Sequence, residues 1–569
     1  MSRRLLTFAA VAAAVLVLPA AAWAHAALLK TFPAASTEVD TAPQEVRLVY
    51  DEAVEPRFAI ISVTDAAAHQ QVDGPVHRSA TNVDEIDVPL KHVAEGWYLV
   101  FWRVISVDGH PVRGVFTFSV GPNPGPIPQF TIPSLSETAT TPGLLAFRWL
   151  TFLSLMAAIG MFVLRTAIAR PVVARVAGTR LHAVSVAFWI ALAVALVATP
   201  IYVLVATAQF AIRSVWSISV LVPLMRVSAF GRGYLDLELL LGLFAAAAAV
   251  ALWLDRPERG TRSVAGLLSS WGALLAAGAA LLAPGASGHA AQTAPRALAL
   301  AFDWLHLAAG SVWLGGLAGL LVLWRGLAAP TRLAGLTVAV PRFSNVAFVS
   351  VMALLGTGVG AAILHLPTLA SLWQTSYGKT ILVKAGLLLA AMLVASVNLL
   401  RTKPALARGP APAAALLLRR LVGTEAALVA GAVFAAVVLS SLPPPPAALA
   451  SLGRASAHVG PGPVTSVVSE AGYRAELRVT PNRAATSNDF SVGLTHDGQP
   501  VRGAEIIVTF TMLDMSMPAQ SYRLAQTSPG VYAHAAPALV MVGHWGLSFE
   551  IQPQGKPAFT VVLVDRANG

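Results

Sequence analysis

The sequence predicts a multi-domain membrane protein in which an N-terminal β-sandwich, an eight-helix transmembrane bundle and a C-terminal β-sandwich follow one another. The 569 residues are 56% hydrophobic and only 12% charged, with a mean hydropathy of +0.68, whereas soluble domains are about 25% charged. Apolar stretches of spanning length are confined to the middle of the chain, and strand-like alternation lies on either side of it. The absence of cysteine from the sequence excludes disulfides, thiolate metal sites and iron–sulfur clusters.

Residues 1–24 have the pattern of a secretory signal peptide. A basic pair precedes a short apolar run at 5–18, and the tripeptide AWA at 22–24 matches a cleavage site. Cleavage there would make His25 the N-terminal residue and would place the following domain outside the cytoplasm. An uncleaved membrane anchor is the alternative interpretation.

Residues 25–120 are predicted to form a small immunoglobulin-like β-sandwich. Apolar and polar residues alternate near 46–50 and 97–103, and Gly, Pro and Asp punctuate the strands as turn residues. Residues 121–142, which begin GPNPGP, are predicted to be a Pro-rich linker because this composition suits neither a helix nor a central strand.

Residues 143–441 are predicted to form the bundle, at about 20 residues per spanning helix. The eight apolar segments run approximately over 143–167, 183–208, 234–254, 264–283, 297–323, 343–364, 380–400 and 420–441. Charged residues and the prolines Pro284, Pro341 and Pro367 are expected to set their ends.

The distribution of Lys and Arg predicts that both ends of the bundle lie outside the cytoplasm. The connections assigned to the inside carry fifteen basic residues, namely Arg165, Arg170, Arg175, Arg180, Arg256, Arg259, Arg262, Arg325, Arg332, Arg342, Arg401, Lys403, Arg408, Arg419 and Arg420, and those assigned to the outside carry five, namely Arg213, Arg226, Arg232, Arg296 and Lys379. This asymmetry follows the positive-inside rule. It also accounts for the net charge of +11, so the expected partner is the bilayer of a bacterial inner membrane and not nucleic acid.

Residues 442–569 return to a soluble composition after a run of four prolines at 443–446. Alternation at 506–510 and 559–563 predicts a second small β-sandwich, again on the outer side of the membrane.

The N-terminal domain contains a predicted copper site. The α-amine and imidazole of His25 can chelate one metal ion, and Asp108 and His110, two residues apart at a strand end, point to the same side. Such a set of nitrogen and oxygen ligands suits tetragonal Cu(II). From the residues alone, a plain turn and a frayed terminus remain an equal alternative.

This domain resembles the CopC family of periplasmic copper-binding sandwiches. The resemblance rests on the segment HAAL at 25–28, SVDGHPVRG at 106–114 and FTFSV at 116–120. It implies that His25, Asp108 and His110 hold Cu(II). Since no Met lies between residues 25 and 142, a Cu(I) site is not expected in this domain, and His69, His77 and His92 are expected to be surface residues.

A second polar cluster is predicted at the outer end of the bundle. Asp303 and His306 are three residues apart and therefore share one helix face, while His289 precedes that helix and His365 ends the next one. Ionisable groups inside lipid are costly and are functional candidates. His289, Asp303 and His306 are accordingly predicted to receive a metal ion at the membrane; a polar cap at the interface is the alternative.

Residues 145–445 resemble the CopD family of copper-resistance membrane proteins. The matching residues are Gly288-His289-Ala290, Asp303-Trp304-Leu305-His306, Trp313-Leu314-Gly315-Gly316-Leu317, Tyr377-Gly378-Lys379, Lys384 and Glu425. The resemblance implies passage of copper through the inner membrane, usually as uptake. For Lys384 and Glu425 an internal ion pair, or anchoring at the interface, is the favoured alternative to a functional role, and Arg148 is expected to snorkel.

The C-terminal sandwich contains four of the ten Met residues. Met512, Met515, Met517 and Met541 carry thioethers, the soft ligands that suit Cu(I). The segments MSMP at 515–518, PGVY at 529–532 and MVGHW at 541–545 are similar to YtkA-like domains. Core packing by Met is the alternative that we favour slightly.

The function expected from these features is copper binding and transport, with Cu(II) capture by the first domain and uptake through the bundle, in copper homeostasis and resistance. Copper ions and periplasmic copper chaperones are the expected partners besides the bilayer, and the chain is expected not to be an enzyme. A GKT triplet at 378–380 lacks the first Gly of a phosphate-binding loop, so ATP-driven pumping is not expected. One alternative is a copper sensor or buffer that the bundle anchors. Another is a copper-brace oxidase; Asp108 is evidence against it, because its carboxylate would occupy the copper coordination position that oxygen needs.

Overall fold

The fold is known from a computed structural model. It describes residues 28–35, 37–50, 53–105, 111–125, 128, 141–227, 229–255, 257–258, 261–286, 290, 293, 295–366, 368–409, 411–442, 462–484, 486–513, 520–540 and 543–567. The chain divides into two compact units. The described residues of 140–365 and 376–442 form a helical unit, and both β-rich domains belong to the other unit.

The N-terminal domain is a sandwich of two four-stranded sheets. Its strands are β1 (Leu28–Phe32), β2 (Glu38–Val39), β3 (Glu45–Tyr50), β4 (Ile60–Asp65), β5 (His77–Arg78), β6 (Glu85–Pro89), β7 (Gly96–Ile105) and β8 (Pro111–Val120), with a short 3-10 turn at Pro56–Phe58. One sheet has the order β1-β3-β6-β5 and the other β2-β8-β7-β4. This confirms the predicted sandwich.

The apolar and polar residues that alternate in the sequence correspond to buried and exposed side chains in the strands. In β3 every second residue is buried, ending with Tyr50, whose ring meets Trp102 edge-on at a centroid distance of 5.7 Å. Gly114 on β8 makes room for this Trp, since a Cβ there would lie 2.7 Å from the indole. The β7–β8 hairpin is therefore fixed against the core next to its connecting segment.

The part of the chain that the structure describes contains eight helices long and apolar enough to span a membrane, as predicted. The eight spans are Pro142–Val173, His182–Ala211, Phe230–Leu254, Val264–Ala286, Arg296–Gly326, Ala329–His365, Ser376–Arg408 and Pro412–Leu439, numbered first to eighth below. Shorter helices lie at Ile218–Val227 and Ser371–Gln374. The first and seventh spans contain π-helical turns at Leu164–Ala169 and Asn398–Thr402.

The fifth span is central in the bundle and packs against the first, second, fourth, sixth and eighth spans. Its closest approach is to the first span, where a Cβ added to Gly160 would lie 2.0 Å from the carbonyl oxygen of Ser311 and 2.6 Å from the Cα of Gly315. Small residues let helix backbones approach in this way inside a membrane. Residues on one face of the fifth span therefore lie inside the bundle and not in lipid.

Two proline positions differ from the sequence expectation. Pro341 lies inside the helix Arg332–His365, and Pro284 lies inside Val264–Ala286, so neither ends its helix. Neighbouring helices and local adjustments can satisfy the backbone groups that a proline frees in a spanning helix. In a membrane protein, proline is therefore a weaker helix terminator than in a soluble one.

The C-terminal domain is β-rich and folds its strands around a shared core. Its strands are β9 (Val464–Glu470), β10 (Tyr473–Thr480), β11 (Asn488–His496), β12 (Gln499–Pro500), β13 (Glu505–Met512), β14 (Gln520–Ser528), β15 (Val531–Ala536), β16 (Gly543–Gln552) and β17 (Phe559–Ala567). The order is β17-β16-β13-β14-β15-β11-β10-β9, with β12 on β11. Phe490 on β11 and Phe510 on β13 meet edge to face at 4.6 Å, so the two halves of the sheet pack on each other.

Candidate functional site

The predicted Cu(II) ligands His25, Asp108 and His110 lie outside the described residues. The structure does fix the strand ends next to them. Ile105, the last residue of β7, pairs with Pro111, the first residue of β8. Residues 106–110, which include Asp108 and His110, lie between these two strand ends in the sequence, and the assignment of the three ligands stays a prediction.

The other histidines of this domain are surface residues, as predicted. His69, His77 and His92 are all exposed, and His69 Nδ1 lies 3.2 Å from an oxygen of Asp65. Burial acts to raise the pKa of this carboxyl, but hydrogen bonds from His69 and Ala67 outweigh it and hold the pKa below its ordinary value. His69 is therefore part of a local turn.

The outer cluster of the bundle consists of Asp303, His306, Thr357 and Lys384. His306 Nδ1 lies 3.0 Å from the Thr357 hydroxyl oxygen, and that hydroxyl donates to the carbonyl of Ala353 at 2.6 Å. Because a hydroxyl has only one proton, the imidazole must donate from Nδ1. Its Nε2 then carries a free lone pair, which faces Lys384 Nζ at 3.4 Å.

Asp303 completes this cluster on the side of the fourth span. A Cβ placed on Gly285 would lie 2.5 Å from Asp303 Oδ2, so the absence of a side chain at 285 makes room for the carboxylate. Asp303 also interacts electrostatically with Lys384. The fourth, fifth, sixth and seventh spans therefore meet at one group of polar side chains.

The structure brings together only part of the predicted membrane site. His289 lies outside the described residues. His365 ends its helix as predicted, but its Nδ1 donates to the carbonyl of Ala361 at 2.8 Å and its Nε2 lies 3.1 Å from the Thr293 hydroxyl. Among the described residues, no three His, Asp or Glu side chains converge on a metal-binding position.

Lys384 and Glu425 do not form the ion pair that the sequence analysis favoured. Lys384 contacts His306, whereas Glu425 accepts hydrogen bonds from Trp313 Nε1 at 2.7 Å and Asn398 Nδ2 at 3.3 Å. The pairing was wrong because two opposite charges in neighbouring spans need not lie at the same depth. We call Trp313, Asn398, Thr402 and Glu425 the mid-bundle cluster, since the Thr402 hydroxyl bonds Asn398.

The outer and mid-bundle clusters share helix faces. On the fifth span, Trp313 follows His306 by seven residues; on the seventh, Asn398 follows Lys384 by fourteen. Seven residues return almost to the same face of a helix. At about 1.5 Å per residue these steps are about 10 and 21 Å. This spacing was visible in the sequence, and together the two clusters form what we call the polar column.

Arg148 lies against the end of the eighth span and the Tyr202 ring of the second. Its guanidinium contacts the Ser440 carbonyl and the Ser441 hydroxyl at 3.5 and 3.3 Å and lies 5.9 Å from the centre of the Tyr202 ring. It therefore joins the start of the first span to the end of the eighth.

The arginines at the opposite end of the bundle, besides following the positive-inside rule, form a network of buried contacts. Arg165 and Arg170 each bond one carboxylate oxygen of Asp255, at 2.8 and 2.9 Å, and Arg262 donates to the carbonyl of Thr166. Burial lowers the pKa of Arg262; Asp255 acts to raise it, whereas Arg170 and Arg165 lower it further, and the net shift is downward. This arginine clamp borders a cavity of about 280 Å³ lined by Asp255, Arg262 and the first turn of the fourth span.

The thioether hypothesis for the C-terminal domain is supported at none of the described positions. Met512 is buried in the core at the end of β13 and pairs with Trp545 on β16. Met515, Met517 and Met541 lie outside the described residues. Met512 thus has the packing role that the sequence analysis favoured.

Comparisons with known families agree with the three-part organisation. The CopC domain family matches residues 28–121, the copper resistance protein D family matches residues 337–439, and the YtkA-like family matches residues 468–550.

Individual relatives are similar to the whole chain or to its first domain. Copper transport protein CutJ of Bacillus subtilis (strain 168) is 26% identical over 541 residues, which is 93% of each chain. Protein YobA of Escherichia coli (strain K12) is 38% identical over 99 residues, 17% of this chain and 80% of that protein. The crystal structure of CopC from Methylosinus trichosporium OB3b is 29% identical and covers 19% of this chain and 100% of that chain, with a TM-score of 0.16.

Three family matches in this order, and a relative that is similar along nearly the whole chain, show that this protein belongs to the CopC–CopD family of copper-resistance and copper-transport proteins, with a YtkA-like domain at its C-terminus.

Proposed function

We propose that this protein captures copper on the outer side of a bacterial inner membrane and moves it through the eight-span bundle into the cytoplasm. Both β-rich domains lie outside in this proposal, in accordance with the distribution of Lys and Arg along the chain. Copper is the cargo and not a resident cofactor, and the protein acts on it without catalysing a reaction.

The capture step is assigned to His25, Asp108 and His110, as Cu(II) ligands. The chemistry of this set supports the assignment, since an amine, two imidazoles and a carboxylate are the nitrogen and oxygen ligands that Cu(II) prefers. The family match over residues 28–121 supports it as well, because the resemblance to CopC domains implies these ligands.

The polar column is the single observation that carries the transport proposal. Ionisable side chains inside a helical bundle cost free energy and are kept where they serve a substrate path. Here they belong to two clusters: Asp303 and His306 of the fifth span meet Lys384 of the seventh, and Glu425 of the eighth span accepts hydrogen bonds from Trp313 and Asn398. A bundle that served only as an anchor would need none of them.

His306 is the residue of the column best suited to receive copper. Thr357 holds its Nδ1 proton and leaves Nε2 with a lone pair, the form in which an imidazole binds a metal. Lys384 lies where the metal would lie. A copper ion can bind His306 only after this ammonium group moves aside, and Asp303, which attracts both cations, is placed to assist that exchange. We therefore propose that Lys384 closes the column when copper is absent.

The experiment uses the full chain in sealed lipid vesicles, with copper outside and the copper content of the lumen measured over time. His306→Ala should abolish accumulation, whereas His182→Ala, an exposed histidine at the opposite end of the bundle, should leave it unchanged. Asp303→Asn should be intermediate, because it keeps the shape and removes the attracting charge. Normal accumulation by correctly inserted His306→Ala protein would show that the column is not the path.

A further inference from the structure

Glu425 is a carboxyl group buried near the middle of the bundle. It lies thirteen residues after the start and fourteen before the end of the eighth span, Pro412–Leu439. Its exposed fraction is 3%. Each of its oxygens accepts one hydrogen bond, Oε1 from the Trp313 indole and Oε2 from the Asn398 amide.

Both hydrogen-bond donors to Glu425 are neutral. The eighth span packs against the first, fifth, sixth and seventh spans. The titratable or charged groups on these five helices are Arg148, Arg165, Arg170, Arg296, Asp303, His306, Arg325, Arg332, Arg342, His365, Tyr377, Lys379, Lys384, Arg401, Lys403, Arg408, Arg419 and Arg420. Not one of them contacts the carboxyl group of Glu425 in the described part of the chain.

A buried carboxylate without a positive partner is costly, and either a proton or a metal cation removes that cost. The indole and amide donors stabilise the ionised oxygens partly, but supply no charge. Burial thus favours neutralisation of Glu425 by a proton or a metal cation, whereas its two neutral donors favour the ionised carboxylate, so no permanent charge fixes one state. A permanent structural role would call for a fixed counter-ion instead.

The local backbone places Asn398 for this contact. The seventh span changes to π-helical hydrogen bonding over Asn398–Thr402, a distortion found frequently at functional sites. The fully buried Thr402 places its hydroxyl 2.8 Å from the Asn398 carbonyl oxygen and 3.1 Å from Asn398 Oδ1, so it lies directly against this residue. Two independent features, the carboxyl group and the interrupted helix, therefore meet at one point of the polar column.

We propose that Glu425 binds a proton and exchanges it for copper as the metal passes, so that copper and protons move in opposite directions through the bundle. This inference rests on the proposed transport function. In the exchange the O–H bond of the carboxylic acid breaks, the proton passes to water in the path, and the carboxylate balances one positive charge of the copper ion. When copper leaves, a proton from the other side returns to the oxygen.

The test uses vesicles that contain the full chain and a pH-sensitive dye, with the membrane potential clamped by potassium and valinomycin. Copper is supplied outside, as Cu(I) under a reductant and separately as Cu(II). The wild-type lumen should become more alkaline in step with copper accumulation, faster than in protein-free vesicles. Glu425→Gln should lose this pH change. Glu238→Gln removes a carboxyl group from the third span, which packs chiefly on the second and fourth, and should behave as the wild type.

Infrared difference spectroscopy gives a readout that does not need transport. Copper added to the wild-type protein should remove the carbonyl band of a protonated carboxylic acid, and Glu425→Gln should lack this change. Glu425→Asp, which keeps a titratable group, should keep both the band loss and the counterflow of protons at a lower rate.

Two kinds of failure can be told apart. Copper accumulation without luminal alkalinisation in the wild type, or alkalinisation undiminished in Glu425→Gln, would overturn the role of Glu425 and leave copper transport standing. If the wild type accumulates no copper, the proposed function fails instead. The infrared measurement still tests Glu425 in that case: if copper removes the carboxylic-acid band in Glu425→Gln as well, the band does not belong to Glu425 and the inference is overturned too.

Discussion

At the scale of single residues, the chemistry of the outer cluster depends on which nitrogen of His306 carries the proton. Thr357 decides this, because its own proton is committed to the Ala353 carbonyl and its oxygen can only accept from His306. Hydrogen-bonding partners of this kind orient metal-binding histidines and tune their affinity. A residue that touches no metal can therefore control whether the column accepts one.

Thr357→Val keeps the shape of the side chain and removes this hydrogen bond. Loss of such a partner typically costs 10–100-fold in metal affinity, so we expect copper accumulation at low copper to fall by at least about tenfold. Thr380→Val, which removes an exposed hydroxyl that donates to the Ser376 carbonyl, is the matched control. If the two variants accumulate copper at the same rate, Thr357 does not position His306.

Cu(II) binding by the N-terminal domain should depend on pH in the direction set by its imidazoles. Protons compete with the metal for nitrogen, so affinity should fall as the pH drops through about 6.5, the ordinary pKa of histidine. His110→Ala should weaken binding far more than His77→Ala, since His77 is an exposed residue of β5. Electron paramagnetic resonance titration of the full chain measures both, and equal losses would indicate unspecific surface binding.

At the scale of elements, the arginine clamp joins the C-terminal end of the first span to the connection between the third and fourth. The side chains of Arg165 and Asp255 are 8% and 6% exposed, so the pair is removed from water. Arg165 stands in the π-helical turn Leu164–Ala169. The carboxylate of Asp255 thus holds two guanidinium groups at a point where the helix is irregular.

Asp255→Asn would leave both guanidinium groups buried without their anion. Removing one partner of a buried ion pair typically costs about 3–5 kcal/mol. We expect the thermal unfolding midpoint in detergent to fall clearly, whereas Asp236→Asn, an exposed change on the third span, should leave it unchanged. An unaltered midpoint in Asp255→Asn would mean that the clamp does not stabilise the bundle.

The elements that could be predicted from the sequence are those specified by local composition and by the periodicity of hydrophobic residues. Strand alternation and long apolar runs are local signals, and both sandwiches and all eight spans were predicted from them. The helix Ile218–Val227 was missed because ten residues are too few for a span. The partners of Lys384 and Glu425 were missed because they depend on how helices pack, which no local pattern specifies. The seven-residue spacing of His306 and Trp313 and the fourteen-residue spacing of Lys384 and Asn398 were the signals available in the sequence.

At the scale of the whole molecule, our account requires one orientation. Both β-rich domains must lie outside and the arginine-rich connections inside, so that copper reaches Asp303 and His306 from the outer side. This orientation can be measured with thiol labels on introduced cysteines, because the sequence has no cysteine of its own that would react.

Single cysteines should report the orientation through a membrane-impermeant maleimide applied to intact spheroplasts. Ser469→Cys, on an exposed position of β9, should be labelled at once. Glu258→Cys, exposed between the third and fourth spans, should be labelled only after the membrane is permeabilised. The reverse pattern would invert the bundle and with it the proposed direction of capture.

The central claim, that this protein moves copper rather than merely holding it, is tested most directly by counting copper ions in the lumen of sealed vesicles per molecule of reconstituted protein. A transporter turns over, so the count should keep rising with time until the gradient is spent, far beyond the number of sites on the protein. An anchored buffer or sensor would instead saturate at the stoichiometry of its binding sites, with the metal released on protease treatment of the outer domains. A count that stops at that stoichiometry would contradict the account.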